Sequence, residues 1–108
     1  PIWTDINPND TLQYRSARAE EDDRHICPLQ LPVIKRGIDL WTNPGDLILD
    51  PFAGIASTGH VAVINGRKFL GFELKESYYN QAVGNMKKAV LDAKKPNQIT
   101  LDSFNARF

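Results

Sequence analysis

Asp50-Pro51-Phe52-Ala53-Gly54-Ile55-Ala56-Ser57-Thr58-Gly59 places a carboxylate, a glycine turn and two adjacent hydroxyls within one short stretch. Glycine at 54 permits a sharp backbone turn that a side chain would block. A helix opening just after the turn presents unpaired backbone N–H groups, joined by the Ser57 and Thr58 hydroxyls, toward an anionic group such as a carboxylate or phosphate. Glu73 follows about twenty residues beyond the loop, at the spacing where a carboxylate on the next strand accepts both hydroxyls of a ribose. A nucleoside with an anionic end is the ligand these groups would hold. Ala56 stands where a dinucleotide-binding turn wants its second glycine, so that the backbone can approach a pyrophosphate. S-adenosylmethionine is a ribonucleoside with a carboxylate and no phosphate, and it suits this loop better than NAD. A nucleotide or dinucleotide module without transferase activity stays open as the second reading.

These residues need a strand before the loop, a helix after it and a second strand ending at Glu73. Leu47-Ile48-Leu49 is a short apolar run ending in Asp50, as in a parallel strand buried on both faces. Ser57 is placed to cap a helix through Ile64, and Gly66 falls where a left-handed C-terminal cap belongs. Lys68 to Glu73 reads as the next strand, and Ser77 opens a long helix with Tyr79, Val83, Met86 and Val90 on one face. Upstream, Leu31, Ile34, Ile38 and Trp41 form the stripe of a helix with Pro32 in its first turn, and Asn43-Pro44-Gly45-Asp46 stops it. Ile2 to Ile6 reads as a short strand. The spacing assigns Trp41, Tyr79 and Met86 to the core. The order helix, strand, helix, strand, helix predicts an α/β fold built on a parallel βαβ unit with flanking helices, half of a doubly wound sheet. Its ligand then sits beyond the carboxyl ends of the strands.

At 108 residues the chain is the size of one small domain or a piece of a larger one. We divide it into a loop-rich segment 1–24, a cofactor-binding portion 25–94 and a tail 95–108. Thirteen basic and thirteen acidic residues cancel, so net charge supplies none of the long-range attraction expected of a self-sufficient nucleic-acid binder. Cys27 is the single cysteine, and no signal-like or membrane-length apolar span occurs, which makes the cytoplasm the expected setting.

Asp50-Pro51-Phe52-x-Gly54 with Ser57-Thr58, followed by Gly71-Phe72-Glu73-Leu74 and Tyr78, resembles the cofactor motifs of DNA methyltransferases that modify the exocyclic amine of adenine or cytosine. His25-Ile26-Cys27-Pro28-Leu29-Gln30-Leu31 is similar to the segment that, in members with a permuted motif order, precedes the glycine loop and closes over the methionine part of the cofactor. The resemblance runs from about His25 to Met86 and points to phage and bacterial members. It implies part of a Rossmann-like S-adenosylmethionine-dependent methyltransferase fold. Carried over by position, Asp50 faces the methionine ammonium, Phe52 and Ala53 line the pocket, and Gly54 supplies the turn. Ser57 or Thr58 holds the carboxylate, Glu73 the ribose, and Leu74 lies against the adenine, with His25 and Cys27 in the lid. Adenine and cytosine stay open as targets.

The family's Asp/Asn/Ser-Pro-Pro-aromatic tetrapeptide, which holds the flipped base, does not occur in the sequence. In the permuted order that tetrapeptide and the target-recognition region lie upstream. A chain beginning at Pro1 therefore leads us to expect that a missing half carries the base chemistry and the contact with double-stranded DNA. An exposed sheet edge left by that half predicts homo-oligomers. Plainer readings exist for other groups. His25 and Cys27 make two metal ligands with no partner pair. Arg15, Arg18 and Arg24 sit against the acidic run Glu20 to Asp23 as a self-paired loop. His60 has no carboxylate at a useful spacing.

Overall fold

A computed structural model describes residues 2–13 and 27–95. Five elements follow in the predicted order: α1 (Leu31–Trp41), β1 (Leu47–Asp50), α2 (Ser57–Ile64), β2 (Lys68–Gly71) and α3 (Glu76–Lys94). β1 and β2 pair in parallel, Leu47 opposite Lys68 through Asp50 opposite Gly71, with α2 as the crossover between them. The register puts the two carboxyl ends level, so the loop after β1 and the chain after β2 emerge side by side.

α2 is the centre of the molecule. Ser57, Gly59, Val61 and Ala62 are buried on it, and it packs on α1, α3 and both strands at once. A helix with no distinct polar face finds neighbours on several sides in this way. Ile34 and Ile38 of α1 meet Val61 and Ala62 in the core, with Leu31, Ile48 and Phe69 packed against them. The end of α1 is clipped to the α2–β2 turn by Arg67, whose guanidinium donates to Thr42 Oγ1 at 3.0 Å, Thr42 O at 2.9 Å and Asn65 O at 2.7 Å. Gly66 makes that turn at φ 77°, the left-handed residue predicted after α2.

Several expectations give way. Ile2 to Ile6 is not a strand; the segment is held by side chains on α1, where Arg36 pairs with Asp5 and lies 5.1 Å from the Trp3 ring. That pairing keeps the Asp5 carboxyl below its ordinary value, first through the hydrogen bond from Arg36. β1 is not buried on both faces: Leu47 and Leu49, with Leu70 and Phe72 after the same alternation, are exposed on the face away from α2. Trp41 is exposed rather than core, because it stands at the last turn of α1, beyond Ile34 and Ile38. Tyr79 is also exposed, since the buried residues of α3 are Ala82 and Ala89, small side chains that let α3 approach α2. β2 ends at Gly71, so Glu73 lies two residues past the strand. Neither serine caps its helix: α2 begins after Ala56 and α3 after Lys75, and neither start carries a side-chain cap bond. Residues 14–26 and 96–108, with the arginines and acidic run assigned there, lie outside the described residues.

The Phe69 ring fills the space over Gly59 and Gly71. A Cβ on Gly59 would stand 2.5 Å from Phe69 Cδ1 and 2.7 Å from Met86 Sδ, whereas one on Gly84 of α3 meets nothing within 4 Å. Alanine gains up to ~1 kcal/mol of helix propensity at either position. Overpacking at Gly59 outweighs that gain at a cost of ~1–3 kcal/mol. Gly84→Ala is therefore expected to raise the melting temperature and Gly59→Ala to lower it, measured by thermal denaturation of the same preparation.

Candidate functional site

Asp50 closes β1 and turns the chain, its Oδ1 accepting the Phe52 N–H at 3.0 Å. The ladder then continues past both strands. Phe72 N–H donates to Asp50 O at 3.0 Å and Ala53 N–H donates to Phe72 O at 2.9 Å, so the loop is stitched to the segment that carries Glu73. Gly54 takes φ 55° and points its N–H at Glu73 Oε2, 2.8 Å away. The other oxygen of that carboxylate, Oε1, accepts the Lys75 N–H at 2.9 Å. Glu73 thus faces the glycine turn directly, on the same side of the sheet.

Ala56 has φ 66° and ψ 41°, a left-handed conformation costing a residue with a Cβ roughly 1–2 kcal/mol. It is 2% exposed. Its N–H donates to Ala53 O at 2.8 Å, and its carbonyl accepts the His60 N–H at 2.9 Å, the start of the helical ladder. The N–H groups of Ser57, Thr58 and Gly59 precede that ladder and have no intrahelical acceptor. Asn85, reaching from α3, donates from Nδ2 to the Ile55 carbonyl at 2.7 Å.

A cavity of about 210 Å³ lies at this helix start. Of the predicted site residues, Cys27, Asp50, Phe52, Ala53, Gly54, Ser57 and Thr58 border it, joined by Pro28, Leu29, Ile34, Ile55 and Tyr78. The segment 27–29 therefore comes to the glycine loop. Glu73 borders instead a larger, mostly apolar cavity of about 680 Å³ between β2 and α3, together with Ala53 and Ala56. Ala56 does not border the smaller cavity, so its methyl is no barrier to a ligand there. Leu74 is fully exposed and touches neither cavity. His25 lies outside the described residues. Tyr78 was legible in the sequence as a motif residue without a role; here it borders the cavity, and the Lys75 ammonium stands 4.7 Å from its ring centre. Asn85 carried no signal, because an asparagine on a helix face is ordinary until the fold brings the Ile55 carbonyl to it.

The smaller cavity falls below the roughly 300–1,000 Å³ of a whole small-molecule site, so it accommodates one end of a ligand. The Glu73 carboxylate has about four lone-pair positions. The two backbone bonds leave acceptor capacity for a diol.

The DNA methylase family matches residues 2–84. The DNA adenine methyltransferase YhdJ of Escherichia coli K12 is 41% identical over 73 residues, covering 66% of this chain and 25% of its own length. The type II methyltransferase M.BglII of Bacillus subtilis is 36% identical over 78 residues, covering 70% of this chain and 22% of its own. Among solved structures, a Thermus thermophilus protein described as a DNA modification methylase, in complex with S-adenosyl-L-methionine, superposes with a TM-score of 0.55. It is 31% identical, and the match covers 72% of this chain and 36% of that one. The chain spans about a quarter of the length of the curated relatives it matches.

Replacing Glu73 by alanine leaves the Gly54 and Lys75 N–H groups without their acceptor at a half-buried position. A loss of ~1–2 kcal/mol in unfolding free energy is expected, with faster amide exchange at Gly54 and Lys75. Unchanged exchange at both amides would show that the carboxylate does not hold the loop.

Proposed function

From the premise that this chain belongs to the DNA methylase family of N6/N4 amino-group methyltransferases, we propose that it is the cofactor-binding part of an enzyme that transfers a methyl group from S-adenosylmethionine to the exocyclic amine of adenine or cytosine in DNA. The observation that carries the proposal is the meeting of Glu73 with the left-handed loop at the start of α2, two features 19 residues apart that close on one edge of the sheet. The solved relative in complex with S-adenosyl-L-methionine supports the same ligand.

The residues fit that ligand in separate ways. The first-turn N–H groups and the Ser57 and Thr58 hydroxyls hold its carboxylate, where the helix dipole also favours negative charge. Asp50, at the rim of the same cavity, faces its ammonium. Glu73 takes the ribose hydroxyls with its remaining lone pairs. Cys27, Pro28 and Leu29 cover the methionine part, with Phe52, Ala53 and Tyr78 as walls. His25 and Leu74 complete the proposed set, the latter against the adenine. Residues 25–94 are the binding unit on this reading, flanked by segments 1–24 and 95–108. The cofactor supplies the electrophilic methyl group, and the protein supplies position.

Recognition of double-stranded DNA and the grip on the flipped base are assigned to polypeptide beyond this chain, because the chain covers about a quarter of its relatives and contains no Pro-Pro-aromatic tetrapeptide. No helix among the described residues is long and apolar enough to cross a membrane, and the proposed action on DNA supports a cytoplasmic setting. The exposed apolar face of the sheet, Leu47, Leu49, Leu70 and Phe72, is where the rest of such an enzyme packs. In the isolated chain it promotes homo-oligomers. Sedimentation equilibrium over a concentration series is expected to show reversible self-association, and a monomer throughout would refute it.

Titration of the folded chain with S-adenosylhomocysteine by calorimetry is expected to show binding at one site, weakened at least tenfold by Glu73→Ala, equivalent to ~1.4 kcal/mol. Absence of binding by folded protein, or equal binding by the variant, overturns the cofactor assignment.

A further inference from the structure

The peptide plane between Ile55 and Ala56 is gripped at both of its ends. Its N–H, on Ala56, donates to Ala53 O at 2.8 Å, and its carbonyl, on Ile55, accepts from Asn85 Nδ2 at 2.7 Å. Rotation of that plane is what would release Ala56 from φ 66°, the left-handed setting that an alanine abandons when free to do so. The first grip is local to the loop. The second comes from 30 residues away on α3, and it is oriented in turn by Gln81, whose Nε2 donates to Asn85 Oδ1 at 3.1 Å. With Oδ1 occupied by Gln81, the amide of Asn85 must present its Nδ2 to the loop.

We propose that Asn85 is a positioning residue for the cofactor site: it locks the Ile55–Ala56 peptide and so aims the N–H groups of Ser57, Thr58 and Gly59 into the cavity. The inference rests on the reading that this helix start holds the carboxylate of S-adenosylmethionine. Asn85 touches no ligand on this account. It is absent from the residues around the smaller cavity and acts through backbone. The arrangement also accounts for an alanine at 56, because a plane fixed by two hydrogen bonds does not need glycine's freedom to hold a positive φ.

Asn85→Asp tests the bond with almost no change in shape. The Gln81 contact to Oδ1 persists, while the second oxygen, ionised at neutral pH, faces the Ile55 carbonyl and cannot donate. Protonated, it carries an O–H that can. Binding of S-adenosylhomocysteine is read by calorimetry at pH 7.5 and pH 4.0. Wild type is measured at both values as the reference for the other ionisable groups around the loop, His60 of α2, Glu73 and Asp50. The expected loss for Asn85→Asp is about tenfold at neutral pH, in line with the loss of one part-buried hydrogen bond, recovering to within about threefold of wild type at pH 4.0, close to the ordinary aspartate value where the O–H form is populated. Asn85→Leu, which cannot donate at either pH, is expected to lose affinity equally at both. Asn85→Asp binding as wild type at neutral pH, or losing affinity with no recovery on acidification, overturns the proposal. Amide exchange of residues 55–59 in the ligand-free chain separates this from failure of the cofactor reading. If wild type does not bind, faster exchange in Asn85→Asp at neutral pH that slows on acidification relative to wild type still establishes the lock, and unchanged exchange refutes it.

Discussion

The hydrogen bond from the Gly54 amide to the Glu73 carboxylate is possible only because two parallel strands end level with one another. Asp50 and Gly71 are partners at the end of the register, and the ladder runs on through Phe72 and Ala53. A slip of one residue would carry Glu73 to the opposite face of the chain. The sheet, its crossover helix and the Arg67 clip at the far end all maintain that register. The site is therefore a consequence of strand alignment before it is a matter of side-chain chemistry.

Packing in this chain is one-sided. α1 and α2 cover Ile48 and Phe69, and the opposite face of the same strands remains open. Parallel strands ordinarily lie between two layers, and that general rule is why the apolar run at 47–49 reads as doubly buried. Among the described residues, only one face of the strands finds that cover. The same circumstance explains Trp41: a stripe at helical spacing shows which residues seek cover, and only neighbours decide which of them obtain it. On α3 the spacing selects large side chains, while the contact is made by Ala82 and Ala89, because close approach to α2 favours small ones.

What was legible in the sequence follows from chain-local constraint. Gly54 makes the sharp turn assigned to it and Gly66 the left-handed cap, both at positive φ, since a turn's stereochemistry is written in the residue that makes it. Strand, loop and helix order, and the pairing of Glu73 with the loop, follow from spacing and from the handedness of crossovers. The caps were not legible in that way: a serine near a helix start is a common cap, but here the left-handed Ala56 displaces the start by one residue and leaves Ser57 inside the helix. Asn85 belongs to a third kind, a contact across 30 residues whose meaning exists only once α3 lies beside the loop.

The Glu73 carboxylate has two tasks that draw on the same atoms. It accepts from Gly54 and Lys75, and on the proposed function it also accepts from a ribose. These tasks are compatible because backbone donors take one lone pair on each oxygen and leave one on each. They are also coupled, since a carboxylate already fixed by two amides loses little rotational freedom on meeting a diol. Preorganisation of this type lowers the entropic cost of binding. On the other side of the same loop, Asn85 does for the helix start what the amides do for Glu73. The two ends of the proposed ligand, its carboxylate and its sugar, then meet groups that backbone hydrogen bonds have set in place beforehand. Such a site can be small, at about 210 Å³ on the carboxylate side, because its selectivity comes from the fixed direction of a few donors and acceptors and not from enclosure.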